Sequence, residues 1–67
     1  MNIQNKYNIG QIVYLTTDPQ QYKRIISAIV IHEYGLIYEL SVGEETTYHE
    51  AFEISLEKDI IMAQEND

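Results

Sequence analysis

Sixty-seven residues make a single domain, near the lower size limit for one hydrophobic core, since a chain this short buries only about 60% of its unfolded surface. The chain has no cysteine, which excludes disulfide staples and thiolate metal sites and leads to the expectation of a reducing, cytoplasmic setting. The formal net charge of -7 falls wholly from residue 44 onward, where Glu44, Glu45, Glu50, Glu53, Glu57, Asp59, Glu65 and Asp67 oppose Lys58 alone; this acidity disfavours nucleic-acid binding, which needs cations to displace phosphate counterions.

The opening MNIQNKYNIG lacks a basic region followed by an apolar stretch, and no apolar run approaches the roughly 20 residues that cross a bilayer. Neither a signal peptide nor a membrane association is expected. Residues 1–9 are read as a flexible leader, 10–63 as one domain and 64–67 as a frayed acidic tail.

Residues 10–16, GQIVYLT, are rich in β-branched and aromatic types and predict a strand. Asp18-Pro19 ends it, as a type I turn or as one helical turn capped by the aspartate with proline at its first position. Residues 23–32 form the next strand. Its run Ile25-Ile26-Ser27-Ala28-Ile29-Val30-Ile31 does not alternate, so it is buried on both faces, bends across a barrel, or offers one face to a partner.

Glu33-Tyr34-Gly35 supplies a tight turn. Residues 36–42 then return as a strand, with Leu36, Tyr38, Leu40 and Val42 on one face and Glu39 and Ser41 on the other. Gly43-Glu44-Glu45 is a second turn before a short strand over 46–49, and Glu50-Ala51 suits a 3₁₀ turn. Past Ser55, the spacing of Leu56, Ile60 and Ala63 predicts a short helix capped by that serine, or an extension of the last strand. Four to five short antiparallel strands in so few residues cannot build a two-sheet sandwich, but they can close into a small all-β barrel.

The succession GQIVYL, polar loop, KRIISAIVIH, YELSVG and HEAFEIS resembles the SH3-like small barrels of the Tudor and KOW type, which open on a Gly-x-x-Val strand and continue with two long hairpin strands. The chain also looks like a group of short proteins of gut bacteria and their phages, in which segments like VYLxTDP, YELSxG and FEISxEK recur; that group carries no activity to transfer. The likeness covers residues 10–58. KOW modules bind through a basic or glycine-rich loop, which this sequence lacks. Tudor modules hold methylated Lys or Arg in an aromatic cage, which here would require Tyr14, Tyr22, Tyr34, Tyr38 or Tyr48 to converge.

Catalytic signals are weak. His49-Glu50-Ala51-Phe52-Glu53 has glutamate where a zinc protease helix has its second histidine, and two histidines, His32 and His49, do not complete a zinc site. There is no nucleophile elbow and no phosphate loop. No enzyme activity, metal or cofactor is expected. The leading expectation is a protein-interaction module that self-associates through the two-sided run 25–31. A second is an acidic inhibitor or nucleic-acid mimic of phage or mobile-element origin, placing its carboxylates in a basic groove of a host protein. A third is an aromatic-cage reader of modified peptides. The candidate contact residues are Tyr22, Lys23, Arg24, Tyr34, Glu44, Glu45, Glu50 and Glu53, with Lys23 and Arg24 serving either as a patch or as counterparts of the C-terminal carboxylates.

Overall fold

The computed structural model describes residues 6–65. Residues 1–5 of the expected leader and 66–67 of the expected tail lie outside the described residues. The strands are β1 (Ile12–Leu15), β2 (Arg24–His32), β3 (Gly35–Val42), β4 (Glu45–His49) and β5 (Ile54–Ser55). A 3₁₀ turn, Ala51–Glu53, precedes β5, and a short helix α1, Ile60–Glu65, follows it. All neighbouring strands are antiparallel, in the order β4-β3-β2-β1-β5. The expected all-β sheet of four to five strands with a short C-terminal helix is therefore what the chain forms.

The missing alternation in residues 25–31 has a local cause. The pairing of β2 with β3 passes from Ile26↔Leu40 to Ala28↔Glu39, so Ser27 is an extra residue. A bulge of this kind shifts the side-chain parity by one and bends the strand. Even-numbered Ile26, opposite Leu40, and odd-numbered Ile29, opposite Tyr38, therefore share the core face. Ser27 is held at the bulge by its Oγ, 2.7 Å from Ser41 Oγ and 3.3 Å from the Glu39 carbonyl.

The core comprises Tyr7, Val13, Leu15, Ile26, Tyr38, Leu40 and Ile54, with Ile29, Leu36 and Ala51 packed against it. Tyr7 falls in the segment read from sequence as a leader, yet it is buried. Its ring meets Tyr38 edge to face at 5.5 Å, and its hydroxyl donates to the Ile54 carbonyl at 3.1 Å. The backbone N–H groups of Lys6 and Tyr7 both donate to the Tyr38 hydroxyl. The amphipathic tyrosines thus let a small core accept polar backbone from the chain's start.

Past Ser55, of the two forms expected, a helix is the one present, and it starts later than the serine. Ile54–Ser55 is strand and Ile60–Glu65 is helix. Ser55 does not cap the helix: its Oγ accepts the Glu57 N–H and donates to the Glu57 carbonyl, closing a local turn. Asp59 is the cap, its Oδ1 accepting the Met62 N–H at 3.0 Å.

Candidate interaction surface

The loop between β1 and β2 is built around two side chains. Asp18 accepts hydrogen bonds from the N–H groups of Gln20 and Tyr22 and pairs with Arg24 Nη2 at 3.2 Å. Burial pushes the Asp18 carboxyl up, but these two amides and the hydrogen bond and charge of Arg24 outweigh it and hold the group below its ordinary value. The charge of Arg24 is thus engaged within its own loop, its ion-pair partner lying six residues upstream and not among the C-terminal carboxylates. Tyr22 and Lys23 beside it are exposed.

Gln21 was not singled out from the sequence. It is 3% exposed and sits at φ 51°, the left-handed region that a side-chain-bearing residue seldom adopts. Its Nε2 donates to the carbonyls of Leu15 and Asp18, both at 2.7 Å, and lies 3.6 Å from Met62 Sδ, while its Oε1 accepts the Asp59 N–H at 2.8 Å. One amide therefore joins the end of β1, the loop and the first turn of α1. A glutamine in a polar loop offers no periodic signal of burial, which is why only the structure finds it.

The longest hairpin supplies the main exposed surface. β1 pairs with β2 at Arg24 and Ile25, and the Gly10 N–H reaches the Ile26 carbonyl; β4 pairs with β3 from Tyr38 onward. Among the described residues, β2 beyond the bulge pairs with no strand but β3, and β3 before Tyr38 pairs with no strand but β2. This distal ribbon carries apolar side chains on both faces, with Val30 43%, Ile31 66% and Tyr34 87% exposed. His32 stacks edge-on against Tyr34 at the turn, its Nδ1 accepting the Tyr34 N–H. A second group of exposed apolar side chains, Phe52, Leu56, Ile60 and Ile61, lies along the C-terminal segment.

No match was returned for the chain by comparison with family models, with curated proteins or with solved structures.

The acidic candidates fall into two groups. Glu44 and Glu45 are exposed at the turn between β3 and β4, whereas Glu50 and Glu53 stand at the far end of β4 beside the 3₁₀ turn. β4 separates them by about 16 Å at the usual rise per strand residue. Glu53 is committed to local structure: its Oε2 is 3.0 Å from His49 Nδ1 and its Oε1 accepts the Glu50 N–H. The His49 hydrogen bond, then the Glu50 amide, hold its carboxyl below the ordinary value against the opposing effect of burial. His49 Nε2 also contacts Thr47 Oγ1 at 2.7 Å, so the HEAFE segment is a self-satisfied turn. Among the described residues no three His, Cys, Asp or Glu side chains gather as metal ligands.

The tyrosines do not converge. Tyr7 and Tyr38 meet in the core, Tyr22 lies before β2, Tyr34 at the opposite end of that strand, and Tyr48 on β4. Tyr14 is half-buried on β1, and the one tyrosine–tyrosine ring contact among the described residues is that of Tyr7 with Tyr38. No helix among the described residues is long and apolar enough to cross a membrane.

Proposed function

We propose that this chain is a non-enzymatic protein-interaction module that self-associates. The distal hairpin carries the reading: a two-stranded ribbon with Val30, Ile31 and Tyr34 exposed, in a class of structure that is marginal in water without a neighbour. Its setting supports the SH3-like resemblance, since the bent β2, the long hairpin and the short last strand follow in that order from the Gly10-Gln11-Ile12-Val13 opening. Fold leaves function open, so the argument rests on the surface. Light scattering on the eluting protein at high micromolar concentration tests it; a strict monomer there refutes self-association.

The acidic-mimic reading, with its phage or mobile-element origin, draws on a different observation. Among the described residues no lysine or arginine pairs with Glu44, Glu45, Glu50 or Glu57, because the Lys or Arg ion pair formed is Arg24 with Asp18. The field of those carboxylates is uncompensated, which suits a basic groove. Replacing these four by glutamine abolishes such binding and its salt dependence; unchanged capture of a basic host protein overturns it. Glu53 is left out of that set because its loss breaks the turn as well as the charge.

A further inference from the structure

We propose that two copies join edge to edge through residues 27–32 of β2, antiparallel about a two-fold axis, so that the sheet continues across the dimer. The inference rests on the self-association reading and adds where the contact lies and what it avoids.

Beyond Ile26 the outer edge of β2 has no neighbour among the described residues. Natural edge strands are blunted by lysine, proline, inward charge or short length. Residues 25–32 contain no proline, lysine, arginine, aspartate or glutamate, and the bulge at Ser27 lies at their start. The other edges are guarded or short: the free edge of β3 before Tyr38 covers only Gly35 to Ile37. β4 begins on Glu45 and follows Glu44, and β5 is two residues long.

A second copy fits this edge because the strand is complementary to itself under two-fold symmetry. Val30 and Ile31 point to opposite faces, so pairing sets β-branched side chains beside each other on both sides. Charge favours the same arrangement. Each copy carries -7, yet Glu33 is the one carboxylate between Ile25 and Tyr38 on the edge and its turn. Contact here brings two acidic molecules together where they repel least, with Glu44 and Glu45 at the opposite end of the hairpin.

The size of the surface sets the strength. Tyr34, Ile31 and Val30 at their observed exposures offer roughly 400 Å² per copy, about half of what a standard interface needs. The dimer is accordingly reversible. Its dependence on salt is opposite in sign to that of an acidic ligand in a basic groove: screening the mutual repulsion strengthens it.

Sedimentation velocity over a concentration series, at about 0.02 M and about 0.5 M NaCl to span long and short screening lengths, tests the proposal. Val30→Lys and Ile31→Lys serve as edge-blocking variants, and circular dichroism checks their fold. The expected result is a dimer that tightens several-fold at high salt and weakens at least tenfold in each variant. Amide exchange in the unaltered protein should slow at residues 27–32 as concentration rises, a readout that needs no variant to fold. A monomer under every condition overturns the self-association reading and this inference with it. A dimer that survives both lysines, without protection at residues 27–32, overturns the edge contact alone. A dimer weakened by salt also overturns it, since like-charged copies would not then be meeting at their neutral edge.

Discussion

Replacing Gln21 by alanine removes the group that holds β1, the loop and α1 together. Three good hydrogen bonds are lost, to the Leu15 and Asp18 carbonyls and from the Asp59 N–H. Each is worth about 1 kcal/mol net. Both carbonyls keep a backbone partner, Leu15 from the Asp18 N–H and Asp18 from the Gln21 N–H, so no large penalty for an orphaned acceptor adds to this. The expected cost is about 3 kcal/mol, against a total of roughly 3–10 kcal/mol for a chain this long. The backbone provides an internal control. At φ 51° alanine bears a left-handed cost of about 1–2 kcal/mol that glycine escapes, partly offset by glycine's greater entropy in the unfolded chain. Gln21→Gly should therefore lose about 1 kcal/mol less than Gln21→Ala, reversing the usual order. In urea unfolding followed by circular dichroism, with a slope near 1 kcal/mol per molar, the midpoint should fall by about 3 M for alanine and about 2 M for glycine. A fall under about 1 M for alanine, or alanine more stable than glycine, refutes the argument.

Asp18 links stability to acidity. Its carboxyl is held below the ordinary value, so its stabilisation is fully present above the unfolded value near pH 4 and is lost as pH falls through the folded one. Glu53, also depressed, acts in the same direction. Urea midpoints from pH 7 to pH 2 should fall less steeply for Asp18→Asn than for the unaltered protein, and equal slopes would remove Asp18 from the account. Tyr7→Ala should cost about 3–5 kcal/mol, as for other buried aromatics, while Tyr7→Phe should cost about 1 kcal/mol for the bond to the Ile54 carbonyl; thermal unfolding checks both. Deleting Ser27 should leave unfolding cooperative, because the residue removed is the extra one and Ile26 and Ile29 stay opposite Leu40 and Tyr38 on the core face; the loss is the local bend and the Ser27 contacts with Ser41 and Glu39, about 1 kcal/mol for the hydrogen bonds. A deletion variant with no sharp transition would show that the bend itself is needed to keep Ile29 on the core.

The strands were legible where composition and turns agreed. GQIVYL, the Glu33-Tyr34-Gly35 turn and the alternation of Leu36, Tyr38 and Leu40 each led to the element that forms. The faces of β2 were not legible, because a bulge leaves no mark in composition; it shows only as apolar residues on both parities, which several arrangements share. The helix cap lies at Asp59 and not at Ser55 for a related reason, as serine and aspartate cap helices and close turns by the same hydrogen bonds. Among the candidate contact residues, Tyr22, Lys23, Tyr34, Glu44, Glu45 and Glu50 are exposed. Arg24 and Glu53 are drawn into local pairs whose partners, Asp18 and His49, lie close in sequence. Tyr7 and Gln21 escaped notice because their burial depends on contacts 31 to 47 residues away for the tyrosine and 38 for the glutamine, which no local pattern encodes.

The bulge at Ser27 also explains how a chain this small can hold a core and still present an apolar arm. Before it, Ile26 is fully buried against Leu40; after it, Ile29 and Leu36 remain packed on the core margin while Val30 and Ile31 pass beyond it. The core therefore anchors the base of the hairpin through both strands, and the distal ribbon borrows that stability without contributing much burial of its own. A straight strand would have had to choose between burying both faces, for which there is too little protein, and alternating with polar residues, which would leave no adhesive edge. The bend permits a third arrangement, in which the exposed apolar ribbon of Val30, Ile31 and Tyr34 stands at one end of the hairpin and the carboxylates Glu44 and Glu45 at the other. In the proposed dimer, acidic repulsion opposes contacts through the carboxylate-rich end, so the same charge that would keep copies apart there favours the neutral edge of β2.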